Sequence, residues 1–184
     1  MSPRRVGAAP SRSSKPREAI GPEAAPRLVR KVLPRPLFEA FRFYVRQLVA
    51  TSQLTYEEWG KRWIRHDDPF AVLLHERLTP FVSRKVGRPV KKSYVFLACY
   101  GDRGGVPRHL DREQCRYTLD LCVEASGEPW PLLIQGTPYT PRENEAILYL
   151  GTKLAHWRRA KPPGVVAHLA FFHFVDADFD GPLC

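Results

Sequence analysis

Apolar residues in the segment PLFEAFRFYVRQLVATSQ recur at Leu37, Phe41, Tyr44, Val45 and Leu48. That spacing lays one apolar stripe along a helix. Pro36 suits its first turn, where the fixed φ fits and the missing N–H has no partner to lose. The next stretch, TYEEWGKRWIRHDDPFAVLLHERLTPFVSRKVG, reads as further short helices, with Thr55 and Glu58 at capping-box spacing and Pro69 and Pro80 punctuating the run. From Lys92 the texture changes. SYVFLACY is a β-rich apolar run, YTLDLCVE alternates, and PWPLLIQG, EAILYLG and VVAHLAFFHFV follow between turn residues. Helices followed by five or more short strands predict an α+β domain whose strands close into a sandwich or small barrel.

Composition refines this picture in three places. A length of 184 residues suits one domain, expected as a helical part over 37–91 and a β core over 92–184. No apolar run is long enough to span a bilayer, so no membrane partner is expected. The N-terminus lacks the apolar core of a secretory signal, and Cys99, Cys115, Cys122 and Cys184 form no C-x-x-C pair. These features predict reduced thiols in a cytoplasmic protein. The net charge of +10 is uneven: residues 1–36 hold nine Lys/Arg against Glu18 and Glu23, which accounts for +7 of it. Residues 1–36 therefore read as a basic, Pro/Arg-rich, disordered tail rather than a nucleic-acid-binding face, and a nucleic-acid partner is not expected.

Six histidines are candidates for chemistry, and two begin an H-x-D tripeptide. His66-Asp67-Asp68 falls in the helical half, where residues two apart point to different sides of the axis; Pro69 follows, and a loop or helix-end role is expected. His75 reads as a helix-surface or interhelix residue. His109-Leu110-Asp111 leads into a strand, where side chains two apart share a face and can address one point. His156 follows 45 residues after Asp111, just past Leu150-Gly151. Two imidazoles and one carboxylate in that order suit a facial Fe(II) triad with open positions; zinc accepts the same donors.

The order of motifs resembles a known family. CYGDRGGVPRHLDREQCRYTLDLCV, then ENEAILYLGTKLAHWRR and VVAHLAFFHFV, look like the core of the 2-oxoglutarate/Fe(II)-dependent dioxygenases, nearest the prolyl-4-hydroxylase-like branch. Tyr100, Gly101, His109, Asp111, Arg116, Thr118, Gly151 and His156 carry the likeness, which spans residues 92–175. It implies a double-stranded β-helix (jelly-roll) core with the N-terminal helices packed on one face. It also implies Fe(II) on His109, Asp111 and His156, with 2-oxoglutarate and O2 as cosubstrates. Related halogenases lack the carboxylate, so Asp111 points to hydroxylation, or another oxidation, over halogenation.

The far carboxylate of 2-oxoglutarate calls for a cation, which the family places on the final core strand; here Val166 stands near that position. Two replacements are available: Arg158, sharing a face with His156 on an extended segment, and His168. Tyr100 is a candidate hydrogen-bond donor to the cosubstrate. Arg103, Arg108 and Arg112 are candidate substrate contacts, for an amino-acid, peptide or other small-molecule substrate. Two alternatives stay open at this stage: another metalloenzyme on a cupin-like barrel, zinc-dependent or otherwise, and a non-catalytic binding module with a nucleic-acid-contacting tail.

Overall fold

The computed structural model describes residues 25–183. Their order is β1 (Arg27–Arg30), α1 (Arg35–Ala50), β2 (Thr55–Glu57), β3 (Arg62–His66), α2 (Pro69–Val86), β4 (Val90–Tyr100), β5 (Val106–His109), β6 (Tyr117–Ser126), β7 (Leu132–Ile134), β8 (Thr137–Tyr139), β9 (Glu145–Leu150), β10 (His156–Arg158) and β11 (Val166–Asp176). None of the described helices is long and apolar enough to cross a membrane.

Helix α1 buries Phe38, Phe41, Val45 and Leu48. Helix α2 is capped by Asp68, whose carboxylate accepts from the backbone N–H of Phe70 at 3.0 Å and Ala71 at 3.2 Å. It ends at Gly87, whose φ of 76° is left-handed. Pro80 does not break it, because Leu74, Leu78, Val82 and Val86 continue one buried face across the proline. Their burial outweighs the single backbone bond that Pro80 cannot make. Asp68 of the His66-Asp67-Asp68 tripeptide is thus the helix cap, the helix-end role expected for it.

Residues 55–66 correct the expectation of short helices. They form a hairpin in which β3 pairs with β4, from Arg62 opposite Tyr100 to His66 opposite Phe96. R-W-I-R-H has period two, and the exposed edge of β4 supplies the hydrogen bonds that an isolated turn of helix would lack. The expected boundary of the basic tail is corrected too. Arg27–Arg30 pair with β9, and Val29, Val32 and Leu33 are buried; a sheet edge and an apolar groove order a segment whose composition alone gives no reason to fold. Residues 1–24 of that tail lie outside the described residues.

The strands form a seven-stranded sheet, β1-β9-β6-β11-β4-β3-β2, and a four-stranded sheet, β5-β10-β7-β8. From β4 to β11 the chain passes between the two sheets at nearly every connection, which gives a jelly-roll-like sandwich. Alternation along the large sheet sorts its residues. Val95, Leu97, Leu119, Leu121, Leu148, Ala170, Phe172 and Phe174 share one cluster with the buried residues of α1 and α2. Phe41, Phe172 and Phe174 are fully buried, each contributing on the order of 1.5–3 kcal/mol. The opposite parity holds Tyr94, Phe96, Tyr100, Thr118, Asp120, Tyr149, Phe171 and His173, a mixture of aromatic and polar groups between the sheets. Polar residues in the middle of a sandwich mark a site rather than a core.

Candidate metal centre and its cavity

His109 ends β5 and His156 begins β10, and the two are direct register partners with ring centroids 4.3 Å apart. Asp111 sits just past β5, held by its N–H donating to Gly151 O at 2.9 Å. Its Oδ1 lies 3.4 Å from His109 Nε2 and 3.5 Å from His156 Nε2. Both imidazoles are oriented by the same local device. The Nδ1 of His109 meets Pro107 O and that of His156 meets Leu154 O, each at 2.8 Å. A carbonyl only accepts, so each Nδ1 carries a ring proton, and Nε2 is the nitrogen left facing Asp111, able to offer a lone pair to a metal once it gives up any proton shared with that carboxylate. Two such nitrogens and a carboxylate oxygen converging on one point are a donor set that a divalent metal accepts, with the outer nitrogens anchored as metal-binding histidines usually are.

Asp111 is charged as well as placed. Burial works to raise its pKa, but the imidazoles of His109 and His156 outweigh it and hold the carboxyl well below the usual range. Its second oxygen accepts from the Thr118 hydroxyl at 3.1 Å. The Asp111 carboxylate in turn raises His109. A further group, Asp111, Cys115 and His173, also brings potential ligand atoms close together.

The triad opens into a cavity of about 260 Å³. Arg62, Tyr94, Phe96, Tyr100, Arg112, Arg158, Phe171 and His173 line it, together with Trp59 and Trp157. Arg158 is buried, with Nη2 2.5 Å from Asp120 Oδ2 and the guanidinium over the Trp130 ring. Arg62 donates from Nη1 to the Tyr100 hydroxyl at 2.9 Å and from Nε to Glu57. Guanidinium groups only donate, so the Tyr100 oxygen accepts there and its own proton is free for another acceptor. Burial pushes the Tyr100 phenol up, which keeps that proton in place.

Expected site residues separate accordingly. His109, Asp111 and His156 come together, and Tyr100, Arg158 and Arg112 line the same cavity, Arg112 Nη2 donating to the Tyr94 hydroxyl at 3.3 Å. His168 does not. It lies 3.2 Å from Glu124, itself bound by Arg46 of α1, away from the cavity lining. A strand parity places its side chain opposite to His173, which faces inward. Arg103 and Arg108 are exposed outside the lining; Arg103 sits at a left-handed φ of 60° and Arg108 stacks over Trp157. The cavity side of β11 supplies Phe171 and His173, so no cation from this strand reaches the lining. Trp59 and Arg62 went unanticipated because their hairpin reads as helix; the period-two run Arg62–His66 was the available signal. Among the described residues Cys99, Cys115 and Cys122 are buried thiols joined in no disulfide, and Cys184 lies outside the described residues.

No family model and no curated protein matches the chain. Solved structures do. A Pseudomonas putida prolyl-4-hydroxylase superposes with a TM-score of 0.63 at 14% identity over 80% of this chain and 91% of that one. The viral collagen prolyl hydroxylase of Paramecium Bursaria Chlorella virus-1, in complex with 2-oxoglutarate, gives 0.63 at 11% identity over 83% and 97%. The protein has the fold of these oxygenases. HygX from Streptomyces hygroscopicus, solved with nickel, 2-oxoglutarate and hygromycin B, gives 0.64 at 14% identity over 84% of both chains. The shared fold thus extends to proteins named prolyl hydroxylases and to one solved with hygromycin B bound.

Proposed function

We propose that the protein is a non-haem Fe(II)/2-oxoglutarate-dependent oxygenase that hydroxylates a C–H bond of an amino-acid, peptide or other small-molecule substrate. The convergence of His109 Nε2, His156 Nε2 and Asp111 Oδ1 at one end of a jelly-roll cavity carries this reading. Iron bound there supplies the oxygen activation that couples 2-oxoglutarate decarboxylation to oxidation of the substrate.

The chain's own residues position the reactants. His109, Asp111 and His156 would hold the metal where the cavity lining brings them together. Arg158 would take the far carboxylate of 2-oxoglutarate, assisted by the free phenolic proton of Tyr100. Asp120 already engages one edge of that guanidinium, which fixes its plane, and Trp130 supports it from one side. The aromatic walls would lower the local dielectric and strengthen each polar contact. Arg112, at the cavity, and Arg103 and Arg108, beyond it, favour a substrate bearing a carboxylate or another anionic group.

Anaerobic addition of Fe(II) and 2-oxoglutarate tests the reading. The wild type is expected to develop the visible charge-transfer band of a chelated 2-oxoacid, and Asp111→Ala to lose it. A folded wild type that binds iron and shows no band with 2-oxoglutarate refutes it.

A further inference from the structure

His173 is buried in the cavity lining beside the metal triad, with a ring nitrogen within 4.8 Å of an Asp111 carboxylate oxygen. Its Nδ1 lies 3.0 Å from Thr118 Oγ1, and its Nε2 is buried with no hydrogen-bond partner. Buried polar atoms without partners are rare in folded proteins, and each calls for a reason. The rings around it supply none: Tyr94 lies 4.7 Å away with its hydroxyl paired to Cys115 Sγ, while Phe96 and Phe171 stack nearly parallel to the imidazole and carry no donor.

Thr118 decides which nitrogen is protonated. Its hydroxyl has a single proton, and Asp111 Oδ2, 3.1 Å away, is a carboxylate oxygen that can only accept. If Thr118 spent that proton on His173, two bare oxygens would face each other at this distance. The hydroxyl therefore donates to Asp111 and accepts from His173, so Nδ1 carries the ring proton. An imidazolium here would leave a charged N–H buried and unpaired at Nε2, so the ring is neutral, and a neutral ring has only one N–H to place.

We propose that Thr118 fixes His173 as a buried hydrogen-bond acceptor, with Nε2 bare, and that the substrate is a molecule bringing an N–H or O–H donor to that nitrogen. His173 is then a specificity-determining residue: a ligand of the same shape without a donor leaves Nε2 unpaired and is rejected. The identity of the donor-bearing molecule as a substrate rests on the oxygenase reading; the protonation pattern rests on the geometry alone.

The test reads the imidazole nitrogens directly. Isotope-labelled protein is loaded with zinc, a diamagnetic ion accepted by the same donors, and examined by long-range proton–nitrogen correlation, with His173 assigned through its loss in His173→Phe. The expected wild-type pattern is a pyrrole-type Nδ1 and a pyridine-type Nε2. Thr118→Ser should preserve it, and Thr118→Val should shift His173 toward the opposite tautomer. Formamide should then move the Nε2 resonance in the direction of hydrogen bonding, while dimethylformamide, the same amide without N–H donors, should not. A pyrrole-type Nε2 in the wild type overturns the proposal, as does an equal response to both amides or none to formamide. Neither iron nor oxygen takes part, so absence of the oxygenase band leaves this result untouched, and failure here leaves the band untouched.

Discussion

Gly151→Ala should displace the carboxylate of the metal triad without unfolding the protein. A Cβ built at Gly151 would lie 2.6 Å from Cys115 O and 2.9 Å from Asp111 Cγ, with Asp111 Oδ2 closer still. The backbone cannot retreat easily, because Gly151 N–H donates to Arg116 O at 3.0 Å and Gly151 O accepts from Asp111 N–H at 2.9 Å. The Asp111 side chain is the freer party, so it must turn and give up its approach to His109, His156 and Thr118. Disturbing the support of a metal ligand typically costs about 10–100-fold in affinity, or roughly 1.4–2.7 kcal/mol. Overpacking should cost a further ~1–3 kcal/mol of stability. Anaerobic Fe(II) titration gives the first quantity, and urea unfolding of the metal-free protein gives the second. Gly136→Ala is the control: nothing lies within 4 Å of its added Cβ, and only its φ of 88° is strained. It should lose stability and keep its iron affinity. An unchanged Fe(II) affinity in Gly151→Ala would refute the reasoning, whatever happened to its stability.

Arg158→Met should weaken 2-oxoglutarate binding by at least tenfold in a titration of the charge-transfer band while leaving Fe(II) affinity in place, since the guanidinium touches Asp120 and not the triad. Asp120→Ala should lower stability by about 3–5 kcal/mol in urea, because it strands a buried cation. His75 is buried, with burial lowering its pKa to about 4 and its Nε2 on His173 O at 3.0 Å. The unfolded chain binds a proton there before the folded one, so stability falls as pH drops from about 6.5 toward 4, by on the order of 3 kcal/mol; the metal-free His75→Met variant should show a correspondingly flatter profile in that window. A chain beginning at Arg35 should be less stable than one beginning at Ala25, by about 1.5–3 kcal/mol for each of the buried Val29, Val32 and Leu33, and denaturant midpoints of the two chains measure it.

Much of this protein is legible in its sequence because the relevant physics is local. An apolar stripe at helical spacing fixes α1, strand alternation sorts β6 and β9, and parity puts His109 and Asp111 on one face. The likeness in motif order supplied His156 and Gly151, and the structure gives Gly151 its physical reason: no Cβ fits against Asp111 there. The β2–β3 hairpin was misread because helix and strand patterns overlap in a short aromatic and charged run, and only the free edge of β4 chooses between them. The strand within the basic segment was missed for the same reason, since β9 alone supplies its partner.

The sequence by itself determined α1 and the alternating strands through spacing along one element, and it pointed to His109, Asp111 and His156 through parity and the order of motifs. The tertiary structure decided everything that depends on distance across elements. It put His168 with Glu124 and Arg46, gave Arg158 a buried partner in Asp120, and brought Arg62 to Tyr100. It also joined Asp111, Thr118 and His173, residues from a loop and two different strands, into one hydrogen-bonded line. A hydroxyl shares one proton among whichever acceptors the fold brings to it, and the chain order of those residues carries no trace of that meeting.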